Sequence, residues 1–139
     1  MTKKKIAIIG GGLAGVYAAY RLYGRGIEFD LFESRARLGG RILSTEPGGF
    51  DLGPSWFWPD FQIRMQNLVA ELGLPTLQQY EDGDALVESP ATGILRRQGY
   101  RSGNISMRIE GGTGRLVQAL ASSLPQASVH LDAALVSVH

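Results

Sequence analysis

The feature that most constrains the fold is a set of glycines that follows directly after a short apolar segment. Residues 5–9 read Lys-Ile-Ala-Ile-Ile, and Gly10, Gly12 and Gly15 then occupy the fixed places of the pattern G-x-G-x-x-G. A β-branched apolar run of this length predicts a strand that is buried on both faces. The glycines predict that the chain leaves this strand through a tight turn.

The segments after the glycines predict a helix and a second strand. Residues 13–23 are helix formers with apolar side chains at helical spacing, and Gly24 stands where this helix is expected to end. Residues 28–32 show the alternation of apolar and polar side chains that is typical of a strand. Strand, glycine turn, helix and strand within so short a stretch form a βαβ unit. The predicted fold class is therefore α/β with a parallel sheet.

Each position of the glycine pattern has a physical reason if the chain binds a dinucleotide. Gly10 permits the sharp turn, Gly12 lets the backbone approach a pyrophosphate, and Gly15 lets the helix pack closely on the strand. Leu13 and Ala14 begin the helix, where free N–H groups and the positive end of the helix dipole attract phosphate. The alternative is a glycine turn with a structural role alone, and the surrounding strands and helix favour dinucleotide binding.

Glu33 narrows the choice of dinucleotide. It stands at the end of the second predicted strand, where a carboxylate can accept hydrogen bonds from the hydroxyls of an adenosine ribose. A surface charge at a strand end is the alternative interpretation. An acid at this position disfavours a 2′-phosphate, so the sequence favours FAD or NAD over NADP.

The remainder of the chain alternates loops with short elements. Residues 34–59 are rich in Gly, Pro, Arg and aromatic side chains, and predict a long structured loop. The other predicted elements are a helix over 61–72 with Ile63, Leu68, Val69 and Leu72 on its apolar side, a hairpin of 85–88 with 93–96, a helix over 116–124, and strands over 128–131 and 135–138.

Composition excludes several classes of function. A hydrophobic fraction of 44% and a net charge of +1 give no field that favours nucleic acid, so Lys3, Lys4 and Lys5 are interpreted as a solvated lead-in to the first strand. There is no cysteine, which excludes disulfides and thiolate ligands from this segment and suits the cytoplasm. We expect no metal site and no membrane segment, and we interpret His130 and His139 as structural or solvated.

The residues after Glu33 carry a resemblance to a known family. Residues 33–41 read E-S-R-A-R-L-G-G-R, which resembles the signature E-x-R-x-R-x-G-G-R of the flavin-containing amine oxidase superfamily. The resemblance implies FAD as cofactor, with Ser34 and Arg35 near the adenosine and Arg41 near the pyrophosphate. Gly39 and Gly40 would let the backbone pass close to the cofactor. For residue 37, a second arginine of the signature, a solvated side chain is an equal alternative.

A second segment is similar to the part of this family that runs beneath the flavin ring. Residues 50–56, Phe-Asp-Leu-Gly-Pro-Ser-Trp, resemble the pattern D-x-G-x-x-[WYF], which places Ser55 and Trp56 at the flavin. Pro54 stands where the family often has glycine, and it removes one N–H. With Trp56, the next two aromatic residues would wall the ring or the substrate entry, or else belong to the core. Residues 71–75, Glu-Leu-Gly-Leu-Pro, resemble the E-L-G-L stretch of the same family, which implies a role in packing and not in catalysis.

The fourth resemblance lies near the end of the chain. Residues 110–120 resemble a G-G-x-x-x-L-x-x-x-L segment, after which Leu135 or Val136 would reach the adenine through its backbone. A second phosphate loop is the alternative for the run of glycines at 111–114. A turn followed by a helix cap is favoured, because no convincing parallel strand precedes it.

Together these segments predict that residues 1–139 are a Rossmann-like FAD-binding domain with a parallel sheet and a small antiparallel hairpin excursion over about 80–110. The resemblance implies hydride transfer from an amine or related substrate to the flavin, with no catalytic residue in this segment. The substrate domain and the C-terminal FAD segment of the family are not found here, so we expect self-association or pairing with such a part. The alternatives are a non-catalytic NAD- or FAD-binding module and a half-site that a partner chain completes.

Overall fold

A computed structural model describes residues 5–99 and 103–137 of the chain. In this part of the chain the elements are, in order, β1 (Ile6–Ile9), α1 (Leu13–Tyr23), β2 (Phe29–Phe32), α2 (Ile63–Glu71), β3 (Thr76–Gln78), β4 (Ala85–Ser89), β5 (Gly93–Arg97), β6 (Met107–Ile109), α3 (Gly114–Ser122), a 3₁₀ turn (Gln126–Ser128) and β7 (Val129–His130).

The centre of the fold is a parallel sheet in the order β1-β2-β7. Leu31 of β2 pairs with Ile8 on one side and with Val129 on the other. Helices α1 and α3 pack together, and their fully buried side chains Val16 and Leu116 belong to the core formed with the sheet. The prediction of an α/β, Rossmann-like fold is confirmed.

Two glycines make the joint between β1 and α1. Gly10 has a φ of +98°, a left-handed conformation that other residues rarely adopt. Gly15 lies so close to the turn that an added Cβ would overlap the carbonyl oxygen of Gly10. These observations agree with the roles that the sequence predicted for the first and last glycines of the pattern.

The prediction that the first strand is buried on both faces is wrong. In β1 only Ile8 is buried, whereas Ile6 is 42% and Ile9 is 50% exposed. The physical reason is that the sheet buries one face: Ile8 lies in the core with Phe29 and Leu31, whereas Ile9 points to the opposite face, whose described side chains are not part of the core. Lys5, at its start, is not merely solvated, since its ammonium group pairs with Asp30 at 2.7 Å.

The predicted strand over 135–138 is also not found. Residues 131–137 form no strand, and Val138 and His139 lie outside the described residues. Asp132 has a φ of +53°, which turns the chain directly after β7. The amides of Asp132 and Ala133 then donate to the carbonyls of Arg35 and Glu33, so this segment hydrogen-bonds to a loop instead of extending the sheet.

Outside the parallel sheet, the structure adds one strand pair and shortens one helix. Strands β4 and β5 form the predicted hairpin, and β3 pairs with β6 in an antiparallel pair that the sequence did not predict. Helix α2 begins at Ile63, because the amides of Phe61 and Gln62 bond to the carbonyl of Trp58 in a preceding turn. Ile63, predicted on the apolar side, is 61% exposed, while Leu68 is buried.

We expect Gly15→Ala to lower the free energy of unfolding by about 3 kcal/mol, because the added methyl group has no room beside the Gly10 carbonyl. Urea unfolding followed by circular dichroism measures this change. Gly24→Ala is the matched control, since φ is −62° and the nearest atom to an added Cβ is 3.5 Å away. Equal unfolding midpoints for the two variants would contradict the close packing of α1 on β1.

Candidate dinucleotide-binding site

The Glu33 carboxylate lies at the point where the glycine turn meets the loop after β2. Its side chain is buried, with 7% exposure. The carboxylate accepts hydrogen bonds from the amide of Gly11 at 2.7 Å, the amide of Arg35 at 2.9 Å and the hydroxyl of Ser34 at 3.2 Å. A carboxylate has about four acceptor positions, so these donors leave room for a further one.

The same contacts keep Glu33 ionised. The backbone amide of Arg35, and after it the amide of Gly11, lower the pKa of this carboxyl below its ordinary value, against the opposing effect of burial. An ionised carboxylate accepts hydrogen bonds and donates none. Glu33 can therefore accept a further hydrogen bond, and its contact with a ribose hydroxyl stays a prediction.

The glycine turn and the arginine loop touch through their backbones. The amide of Gly39 donates to the carbonyl of Gly11 at 2.8 Å, and Gly12 and Gly39 form an isolated parallel bridge. An added Cβ on Gly40 would lie 3.1 Å from the Cα of Gly12. At Gly11 an added Cβ would meet the side chains of Leu38 and Glu33. The middle glycine of the turn thus has a function that the G-x-G-x-x-G pattern does not indicate.

Residue Arg37 stabilises the arginine loop from within. Its guanidinium is partly buried and donates to the carbonyl of Gly40 at 3.0 Å, of Leu38 at 3.2 Å and of Ile42 at 3.4 Å. It is therefore neither a solvated side chain nor one that faces a ligand. Arg35 and Arg41 are exposed, and Arg35 makes one long hydrogen bond of 3.4 Å to the Gly40 carbonyl.

A cleft of about 1000 Å³ lies between the glycine turn, the arginine loop and α2. It brings together seven of the residues predicted to bind the cofactor, namely Gly12, Leu13, Ala14, Arg35, Gly39, Gly40 and Arg41. The remaining lining residues are Tyr17, Ile42, Pro54, Arg64, Met65 and Leu68. Three of these thirteen side chains are arginines and none is acidic, so the cleft has the charge that an anionic ligand requires.

A second cleft of about 650 Å³, here called the apolar cleft, continues from the first, and its lining contains one arginine and three aromatic residues. The two clefts share Leu13, Ile42, Pro54, Arg64 and Met65, and the second adds Trp56, Phe57, Phe61, Gln62, Ile63, Thr113 and Leu116. The two adjoining clefts match a ligand that is polyanionic at one end and flat and apolar at the other.

Asp51 joins two of the segments that the sequence singled out. Its carboxylate accepts hydrogen bonds from the amide of Thr113 at 2.7 Å, the hydroxyl of Thr113 at 2.8 Å and the hydroxyl of Ser44 at 3.1 Å. Ser44 in turn accepts from the amide of Gly114 at 3.2 Å, at the start of α3. The glycine run at 111–114 is therefore a turn whose helix start is bonded to side chains, as favoured over a second phosphate loop.

The aromatic residues after Asp51 have different environments. Trp56 is 48% exposed and lines the apolar cleft, with the guanidinium of Arg108 located 5.5 Å from the centre of its ring. Phe57 is buried in the core, which agrees with the alternative interpretation for this residue. Ser55 donates to the carbonyl of Gly53 at 3.1 Å and lines neither cleft.

Leu135 and Val136 are not brought into the cleft. They are 54% and 94% exposed, and they follow Ala133, whose amide bonds to the carbonyl of Glu33. Their contact with adenine stays a prediction. His130 has a structural position, because its ring stacks on Phe32 with a centroid distance of 4.8 Å and its Nε2 lies 3.0 Å from an oxygen of Asp30.

Comparisons with known proteins agree with this geometry. Residues 8–72 match the family described as an NAD(P)-binding Rossmann-like domain. The chain is 38% identical over 90 residues to putrescine oxidase of Kocuria rosea, an alignment that covers 63% of this chain and 19% of that protein. It is 33% identical over 103 residues to a probable flavin-containing monoamine oxidase A of Dictyostelium discoideum, covering 73% of this chain and 21% of that protein.

A solved structure of wild-type putrescine oxidase bound to putrescine superposes on the chain with a TM-score of 0.62. The aligned residues are 32% identical and cover 72% of this chain and 22% of that one. The chain thus spans about a fifth of the length of the curated relatives compared above. Within residues 5–99 and 103–137, no helix has the length and apolar character needed to cross a membrane.

We expect Glu33→Gln to destabilise the fold at pH 7 by about 1–3 kcal/mol, because one amide N–H of Gly11 or Arg35 would face the donor end of glutamine. Folding lowers the Glu33 pKa, so the ionised carboxylate stabilises the fold above the ordinary value of 4.5. That contribution is lost as the pH falls through the lower pKa of the folded state. The difference between parent and variant should therefore shrink below pH 4.5.

Urea unfolding of the parent and of Glu33→Gln at several pH values tests this expectation. Glu46→Gln is the control, because Glu46 is an exposed glutamate of the same loop. A stability difference that is constant from neutral to acidic pH would contradict the role of the Glu33 charge.

Proposed function

We propose that this chain, a homologue of the flavin-containing amine oxidases, is the FAD-binding portion of an amine-oxidase-type oxidoreductase. Support comes from one observation above all, the continuous cleft that runs from the glycine turn and three arginines to an apolar surface. The Glu33 carboxylate lies beside this cleft, bound to the amide of Gly11 in the glycine turn. In such an enzyme, bound FAD supplies the acceptor for a hydride from an amine or related C–H group.

The residues in the cleft, with Glu33 and Ser34 beside it, fit the parts of FAD. Glu33 would accept hydrogen bonds from the adenosine ribose, with Ser34 and Arg35 beside it. The amides at Gly12, Leu13 and Ala14, together with Arg41, would hold the diphosphate. This assignment uses one anionic acceptor for hydroxyl groups and a cationic, glycine-lined surface for phosphates.

The apolar cleft would hold the flavin ring. Ile42, Pro54 and Trp56 line it, and these side chains exclude water without competing for hydrogen bonds. Among its described lining residues there is no Asp, Glu or His that would accept a proton. The chain's own contribution to the reaction is therefore to bind and orient the cofactor, and no catalytic residue is assigned to it.

The wider setting follows from the same proposal. Residues 1–139 form the FAD-binding domain, with about 80–110 as an excursion, and an amine or related small molecule is the substrate of the complete site. Exposed apolar side chains at Ile6 and Ile9 on the sheet edge, and at Leu135 and Val136, favour self-association or pairing with a further polypeptide. We place the protein in the cytoplasm, without a nucleic-acid or membrane partner.

An NAD-binding module is the second candidate. The matched family is described as NAD(P)-binding, and Glu33 would bind the adenosine ribose of NAD as well as that of FAD. The arginine loop favours FAD. The visible spectrum of the purified chain separates the two, since bound flavin absorbs near ~370 and ~450 nm and NAD does not.

We expect Gly12→Val to abolish flavin binding while the protein stays folded. An added Cβ at Gly12 meets nothing closer than the Cα of Gly40 at 4.0 Å, so the fold has room for it. Gly12 lines the cleft, and the valine side chain would occupy the space through which the backbone approaches the diphosphate. Absorbance of the purified protein reports flavin, and circular dichroism reports the fold.

Gly24→Ala, at the end of the same helix and outside the cleft, is the control and should keep its flavin. If purified Gly12→Val showed the same flavin absorbance as the parent protein, the glycine turn would not be the phosphate-binding site.

We expect the salt dependence of FAD binding to separate ribose recognition from phosphate recognition. Arg41→Ala should weaken binding by about 1–3 kcal/mol at low salt. The loss should shrink as salt screens the phosphate charge. The loss in Glu33→Gln should change less with salt, because it concerns hydrogen bonds to hydroxyl groups.

Fluorescence titration with FAD at two ionic strengths gives both dissociation constants. Arg97→Ala, an exposed arginine on β5, is the control for the loss of one positive charge. The same salt dependence for the Glu33 and Arg41 variants would contradict the roles assigned to them.

A further inference from the structure

One arginine in the cleft was not predicted from any sequence pattern. Arg64 lies on α2 and lines the same cleft as Arg35 and Arg41, which belong to the arginine loop. It also lines the apolar cleft, so it stands where the two clefts join. No acidic side chain is found among the described residues that line either cleft. The positive charge of Arg64 is therefore not neutralised there.

The position of Arg64 within its helix is electrostatically unfavourable. It is the second residue of α2, and the first turn of that helix contains no acidic residue. The positive end of the helix dipole disfavours a cation at this place. Arg64 is exposed and makes no hydrogen bond or ion pair with any residue in the described part of the chain. An arginine in such a place contributes nothing evident to the stability of the fold.

We propose that Arg64 is a further cofactor-binding residue, which contacts the diphosphate of the dinucleotide from helix α2. This inference rests on the proposed function. The planar guanidinium can contact two phosphate oxygens at once, whereas each backbone amide of the glycine turn donates to one. The anion would at the same time offset the unfavourable interaction of Arg64 with the helix dipole. The diphosphate would then be held between α2 and the turn that begins α1.

The test measures the affinity of the full chain for three probes, FAD, ADP and adenosine. Arg64→Gln should weaken binding of FAD and ADP by about tenfold or more, as expected for a hydrogen bond between charged groups. Binding of adenosine, which has no phosphate, should not change. Arg64→Lys should recover part of the loss, because it restores the charge without the planar fork.

Two controls separate a contact from a general effect. Arg97→Gln removes one positive charge from exposed strand β5 and should leave all three affinities unchanged. The urea midpoint of Arg64→Gln should be equal to or higher than that of the parent, because an unfavourable helix charge is removed.

Several results would overturn the inference. Unchanged FAD and ADP affinity in Arg64→Gln would do so, and so would an equal loss for ADP and adenosine. A loss for FAD without a loss for ADP would move the contact to the flavin half and overturn the diphosphate assignment. A parent chain that binds ADP but not FAD would contradict the proposed function, while the ADP and adenosine arms would still decide the role of Arg64.

Discussion

The Glu33 carboxylate accepts hydrogen bonds from two backbone amides of different loops. One is the amide of Gly11 in the glycine turn, and the other is the amide of Arg35 in the arginine loop. Both amides would lose their partner if this side chain were removed, and the amide of Gly11 would do so in a buried place. The backbone amide of the same residue donates to the carbonyl of His130, the last residue of the third strand, and its carbonyl accepts from the amide of Ala133 beyond that strand. Three separate segments therefore keep their relative positions through one residue, and the cleft depends on those positions.

Asp51 fixes the far end of the loop after β2 by hydrogen bonds, as Glu33 fixes its beginning. The loop from Ser34 to Pro59 contains no helix or extended strand, yet Asp51 binds it to the turn before α3. Between the two acids, Arg37 donates to three carbonyls of the loop itself. Long loops in compact domains are uncommon unless they have a function. Here side-chain hydrogen bonds replace regular secondary structure, so that backbone and arginines can face the cleft.

Local patterns predicted the parts of the molecule that depend on neighbours in sequence. The helix over 13–23 has the predicted bounds, and Gly10 and Gly15 have the geometry that their spacing indicated. Features that depend on distant segments were missed. Ile9 is exposed because the core covers only the other face of the sheet. The pairing of β3 with β6 joins residues remote in sequence, and Arg64 enters the cleft only through the placement of α2. Apolar periodicity contains no information on any of these three arrangements.

The connection of the third strand has a consequence for how the chain reaches its fold and tolerates change. Strands β1 and β2 and the helix between them form from contacts that are close in sequence, whereas Leu31 must find Val129 across most of the chain. Such a distant pairing slows folding, because the entropy of closing a long loop is lost before the stabilising contacts between the strands form. The entropy of closure rises only with the logarithm of loop length, by about 0.6 kcal/mol for each doubling. Insertions at the exposed tip of the β4–β5 hairpin, which lies outside both clefts, should therefore leave the nucleotide cleft intact.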